Sequence, residues 1–148
     1  MSGVTDKVVL VTGAASGLGL ADAQVLIEQG AQVIMTDIDA DRGSELAAQF
    51  GAMFLPQDVA DEPRWAEIMD AVKAEYGRLD GIVNNAGIAP IADIETTTTD
   101  MWRKTLAIHL DGTYFGCQAA IKLMKESGGG SIVNMSSTAA LVGIPDYL

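Results

Sequence analysis

The sequence predicts an α/β chain built as a doubly wound parallel sheet. Three observations carry this. Short β-branched runs alternate with helical stretches about every 25–30 residues, the rhythm of parallel strands joined by helical crossovers. The first such run, Lys7–Thr12 (KVVLVT), is apolar almost throughout, as a strand buried on both faces must be. No linker, low-complexity tract or domain boundary interrupts the alternation. Right-handed crossovers then largely fix the topology.

Each element has its own signal. Gly13 ends the first strand, and Leu18–Gln29 has helical spacing with Gly30 after it. Gln32–Thr36 is a second strand ending at Asp37. Asp39 caps a helix to about Phe50, closed by Gly51. Ala52–Leu55 is a short third strand. Asp61 and Pro63 open the next helix. In it Trp65, Ile68, Met69, Val72 and Tyr76 form one apolar stripe. Leu79–Val83 is a fourth strand running into Asn84-Asn85-Ala86-Gly87. Thr96–Thr99 supplies a cap for a long helix from about Asp100 to about Glu126. Gly128-Gly129-Gly130 breaks it before a fifth strand, Ser131–Met135.

Composition narrows the function. The 148 residues carry 9 Lys+Arg against 20 Asp+Glu, a net charge of −11. So acidic a chain is repelled by nucleic acid and by anionic membranes. No apolar run reaches the length of a bilayer span, and the first residues do not read as a signal peptide. The lone cysteine, Cys117, reads as a packed core thiol. These features predict a cytoplasmic protein. His109 is the only histidine, so a histidine-based metal site or a serine-protease-like triad has little to build on, and no metal is expected.

The turn Thr12-Gly13-Ala14-Ala15-Ser16-Gly17-Leu18-Gly19 lies between a strand and a helix. Glycines there let backbone approach a pyrophosphate, and the helix N-terminus offers unpaired N–H groups. A plain structural turn or a different nucleotide are the alternatives. Asp37 follows Gly19 by 18 residues, where an acidic residue binds the adenosine ribose hydroxyls of a dinucleotide. A solvated helix cap is the other reading. A carboxylate there repels a 2′-phosphate, which favours NAD over NADP, although Arg42 is nearby.

The spacing Thr-Gly-x-x-x-Gly-x-Gly resembles that of the short-chain dehydrogenase/reductase family. Asp58-Val59 is similar to the family's adenine-contacting pair. Asn84-Asn85-Ala86-Gly87 resembles its Asn-Asn-Ala-Gly motif. Ser131–Ser137 resembles its serine-bearing fifth strand. The resemblance covers essentially the whole chain and implies a Rossmann-like, NAD-dependent oxidoreductase that interconverts a secondary alcohol and a ketone. It implies cofactor contacts at Gly13, Ser16, Gly17, Leu18, Gly19, Asp37, Ile38, Asp58, Val59, Asn85, Ala86 and Gly87. Ser137 and His109 are the candidate catalytic residues, with Ser136 structural or a cofactor contact. The family also pairs its long helix across a dimer. Met101, Trp102, Leu106, Leu110, Tyr114, Phe115, Ile121 and Met124 give this helix apolar residues on several faces, so a homo-oligomer, dimer or tetramer, is expected.

Two departures stand out. The family's acid/base tyrosine lies in a Tyr-x-x-x-Lys motif after the serine, and its lysine lowers the tyrosine pKa. Only 11 residues follow Ser137. Tyr147 is ten residues on, with no lysine four residues after it, and reads as a loop residue. Residues 1–148 are therefore expected to be a single Rossmann-type domain truncated after the fifth strand, without the Tyr-Lys pair and the substrate region, and inactive alone. A non-catalytic dinucleotide-binding fragment is the competing reading. A Rossmann-like methyltransferase explains neither the Asn-Asn-Ala-Gly segment nor the serine-bearing strand. The second departure is His109, where the family usually has asparagine. In the family that residue acts mainly through its backbone carbonyl, which holds a water in a proton relay. A buried helix histidine is the alternative.

Overall fold

The computed structural model describes residues 3–144, so Tyr147 lies outside the described residues. They form a parallel sheet of β1 (Val8–Thr12), β2 (Gln32–Asp37), β3 (Met53–Pro56), β4 (Gly81–Asn84) and β5 (Ser131–Asn134). The strand order is β3-β2-β1-β4-β5. The chain winds outward from β1 in one direction and then in the other, so the order reverses between β1 and β4. That reversal opens a crevice beyond the carboxyl ends of the strands, where ligands of such sheets bind.

β1 shows why the sheet is covered on both faces. Val8 and Leu10 point into a core with Trp65, Ile68 and Val72 of α3 (Glu62–Tyr76) and Leu123 and Met124 of α5 (Gly112–Glu126). Val9 and Val11 point to the opposite face, with Ala23 of α1 (Gly17–Glu28) and Ala47 of α2 (Ala40–Phe50). All five β1 residues are buried. An apolar run with no polar alternation is what two packed faces require.

The helix ends follow the expected chemistry. The Asp39 side chain accepts a hydrogen bond from the Arg42 amide at 3.1 Å, capping α2. Thr98 does the same for α4 (Thr99–Leu106), accepting from the Met101 amide at 3.2 Å. Asp61 precedes α3 but makes no side-chain cap bond. Strand bounds shift slightly: β4 begins at Gly81, and Leu79, fully buried, precedes it.

The long helix differs from its sequence reading. It is not uniform: α4 passes into a π-helical turn, Ala107–Asp111, and only then into α5. The Gly112 amide donates to the Ala107 carbonyl, five residues back. A π turn inserts one residue into the helix and is common at functional sites. The apolar pattern runs on through it, so periodicity gave no sign of it. Cys117 also departs from expectation. It is half-buried against amides rather than packed in the apolar core, with its Sγ 3.5 Å from Asn84 Nδ2 and 3.6 Å from Asn134 Oδ1.

At the opposite end of the sheet, Asp80 ties β1 to β4. Its carboxylate accepts from the Val8 amide at 3.0 Å, from Lys7 Nζ at 3.1 Å and from the Arg78 guanidinium. Burial alone would raise its pKa, but the Arg78 bond, the Val8 amide, Lys7 and the charge of Arg78 together outweigh it and hold the group at about 2. A carboxyl held below its ordinary value stabilises the fold above that value, and the contribution disappears as pH falls from about 4 toward 2. Asp80→Asn is expected to cost about 1.5–3 kcal/mol near neutral pH. Urea titrations of both proteins should converge as pH approaches the folded value. A constant difference down to that pH would exclude this role.

Candidate functional site

The crevice at the strand reversal is a cleft of about 890 Å³, within the range of cofactor sites. Its wall begins at the turn after β1. Gly13 has φ 66° and Gly17 φ 55°, left-handed values that residues with a side chain rarely adopt. Ser16 stands at the start of α1 and makes no cap bond with its side chain. Gly19 is closed in differently: a Cβ there would overlap the Gly13 carbonyl oxygen and Asn85 Nδ2.

Asp37 leaves the end of β2 beside this turn. One carboxylate oxygen accepts from the Ala15 amide at 2.9 Å, and the other accepts from the Asp39 amide at 3.0 Å. The charge is thus fixed at the cleft wall. Ile38 and Leu18 line the same wall and are 76% and 66% exposed. Asp58 and Val59 follow β3 and also line the cleft. Asp58 is exposed and turns its carboxylate back on the Ala60 amide, while Val59 is buried.

The fourth strand delivers Asn85, Ala86 and Gly87. Thr12 holds them: its hydroxyl accepts from the Asn85 and Ala86 amides, each at 3.0 Å. The Asn85 side chain donates to the Thr12 carbonyl at 2.9 Å. The Asn85 amide is therefore spent on latching the glycine turn to the β4 loop. Gly87 lies under the ring of His109, where a Cβ would come 2.7 Å from His109 Cε1. On the far side Asn84 Nδ2 donates to Asn134 Oδ1 at 2.8 Å, across a register pair of β4 and β5. Beyond β5, Ser136 and Ser137 reach the cleft, and the Ser137 hydroxyl accepts from the Ala139 amide at 3.2 Å.

Of the residues singled out from the sequence, all but the buried Gly19 line this one cleft. Gly19 shapes it from beneath. Sequence reasoning missed Thr12 as the hub of the latch, Gln57, Lys104 and Thr113 in the lining, and Ile88 as the partner of His109. Only Thr12 carried a signal, its place at the head of the glycine motif. Among the described residues no cluster of His, Cys, Asp or Glu is gathered to hold a metal. No helix among them is long and apolar enough to cross a membrane.

The short chain dehydrogenase family model matches residues 7–148. The chain belongs to this family. Among curated short-chain dehydrogenase relatives, the D-threitol dehydrogenase of Mycolicibacterium smegmatis is 45% identical over 147 residues, covering 96% of this chain and 56% of its own. The NADP-dependent (R)-specific alcohol dehydrogenase of Lentilactobacillus kefiri is 42% identical over 144 residues, covering 94% and 57%. The crystal structure of a short-chain dehydrogenase from Streptomyces avermitilis superposes with a TM-score of 0.88 at 35% identity, covering 96% of this chain and 53% of that one. A solved chain from Sinorhizobium meliloti 1021 gives 0.91 at 34%, covering 98% and 60%. This short-chain dehydrogenase chain thus spans a little over half the length of the relatives it matches.

The cleft fits the nicotinamide dinucleotide that the family uses. Gln57 is 3% exposed, lines the cleft, and neither polar atom of its amide has a hydrogen-bond partner. The exposed apolar side chains of Leu18 and Ile38 flank the same region. A flat heteroaromatic ligand with polar edges suits both.

Proposed function

We propose that the gene-length protein is an NAD-dependent oxidoreductase that interconverts a secondary alcohol and a ketone by hydride transfer. The observation that carries this is the shared cleft, which brings the glycine turn, Asp37 and Ser137 to one end of the sheet. Gly13, Ser16, Gly17, Leu18 and Gly19 would hold the pyrophosphate with backbone amides at the start of α1. Asp37 and Ile38 would take the adenosine ribose, and Asp58 and Val59 the adenine. Asn85, Ala86 and Gly87 would support the cofactor toward its nicotinamide end. A bound dinucleotide would accept the hydride in alcohol oxidation and supply it in ketone reduction. Ser137 would donate its hydroxyl hydrogen to the substrate oxygen and polarise it. Handling the alcohol proton needs a further acid/base group with a pKa brought toward neutral.

NAD preference rests on Asp37. Its carboxylate is fixed by two backbone amides, so it cannot swing aside from an added phosphate without breaking both bonds. The Lentilactobacillus kefiri relative is NADP-dependent by name, so cofactor choice in this chain is read from its own residues. Wild type is expected to favour NAD over NADP in kcat/KM by about tenfold or more, because like charges brought together cost several kcal/mol. Asp37→Ala should narrow that ratio. The measurement is NADH and NADPH absorbance on the gene-length protein with a panel of secondary alcohols. NADP preference in wild type would sink the reading.

The exposed apolar side chains of Trp102, Leu110, Tyr114 and Ile121 support assembly through the long helix. With the acidic charge, they fit a cytoplasmic homo-oligomer.

A further inference from the structure

Among the described residues three side-chain amides line the cleft, those of Gln57, Asn84 and Asn85. Asn85 donates to the Thr12 carbonyl and Asn84 to Asn134 Oδ1. Gln57 differs from both. It is 3% exposed, and its Oε1 and Nε2 are both closed to solvent without a hydrogen-bond partner. Buried polar atoms are nearly always paired, and an orphan costs the free energy of its lost hydration. The backbone at this point is fixed. The Gln57 amide nitrogen donates to the Asp37 carbonyl at 2.9 Å, continuing the pairing of β2 with β3. The unpaired side chain is thus held between Asp37 and Asp58, at the β3 edge and across the sheet from the serines beyond β5.

We propose that Gln57 is a specificity-determining residue that reads the amino-bearing edge of a purine base, its side chain turning into the cleft as the base enters. The proposal deepens the dinucleotide-binding reading and rests on it. Adenine presents an amino donor beside a ring-nitrogen acceptor. A glutamine amide offers the matching acceptor and donor, the bidentate pairing by which glutamine distinguishes adenine in nucleic-acid grooves. Phosphate oxygens only accept, so they satisfy half of the amide. In the empty cleft the amide stays buried and unsatisfied, and a base removes that cost on binding. The same group therefore weakens the free fold and strengthens the complex. The rival account is a water shared with the Thr36 hydroxyl, which is fully buried on β2 and also unpaired. The two accounts give opposite signs for the stability of the free protein once the amide is removed.

The test compares the gene-length protein with Gln57→Met, which keeps the length of the side chain and removes its amide. Gln57→Leu repeats the test with a different shape. Dissociation constants are measured by displacement of NADH fluorescence for AMP and for purine riboside monophosphate, which differs from AMP only in lacking the amino group. Wild type is expected to prefer AMP, and in both variants that preference should shrink by about fivefold or more. Affinity for reduced nicotinamide mononucleotide should stay unchanged. Thermal melts without nucleotide should show the variants more stable than wild type, because the orphan atoms are gone. An AMP preference that survives in both variants overturns the proposal. So does a loss of stability in both, which is what the shared water requires. Failure of wild type to bind NADH sinks the dinucleotide reading instead, and the melts still decide whether the amide is unpaired.

Discussion

Ser137→Ala in the gene-length protein is expected to lower kcat about 10²- to 10³-fold, the usual cost of losing one preorganised donor at a developing charge. NADH affinity should stay within about twofold, since removing a group used only in the chemical step leaves ground-state binding alone. The geometry explains the expectation. Ser137 sits past the end of β5 at the start of a 3₁₀ turn, Thr138–Ala140, and its oxygen accepts from the Ala139 amide. That bond uses a lone pair and leaves the hydroxyl hydrogen to donate into the cleft. Ser136→Ala is the comparison. It lines the same cleft, and its loss should leave kcat within about threefold, as for a residue outside the reacting group. Single-turnover rates for both variants decide the matter. A larger loss at Ser136 would exchange their roles.

Gly19→Ala is the second large effect. A methyl there would run into the Gly13 carbonyl oxygen and the Asn85 amide, so either the glycine turn or the latch must move. Overpacking of this kind costs about 1–3 kcal/mol. Dinucleotide affinity should fall further than stability does, because the displaced atoms are the ones that shape the cleft. Gly17→Ala provides the contrast. A Cβ at Gly17 meets open space, and only its φ of 55° opposes the change, at about 1–2 kcal/mol. Thermal melts and NADH titrations on both variants separate crowding from backbone strain. Equal loss of affinity in the two would show that crowding at Gly19 is not the cause.

The parts legible in the sequence are those written in local spacing. Gly13, Gly17 and Gly19 follow a β-branched run, and Asp37 ends the next one. Trp65, Ile68, Met69 and Val72 repeat at helical intervals and are all buried. Each of these depends on neighbours a few residues away. What escaped is built from partners far apart in the chain. Thr12 reads as the last residue of a strand, yet its hydroxyl holds amides 73 and 74 residues on. Asn85 reads as a cofactor contact, and the bond from its side chain to the glycine turn could not be read from its neighbours. The bond between His109 and Ile88 spans 21 residues and depends on a π turn, which an uninterrupted apolar pattern conceals. Cys117 reads as apolar because its helix does, and only the fold places it between two asparagines.

The burial of the strands has a consequence for how the molecule breathes. β1 is paired on both sides and wholly buried, whereas among the described residues β5 pairs only with β4 and leaves Val133 48% exposed. Opening free energies across a fold range from near zero at such margins to the global value at its centre. Amide exchange is therefore expected to reach β1 last. The glycine turn hangs from that central strand, so this wall of the cleft keeps its place in fluctuations that open the margins of the sheet.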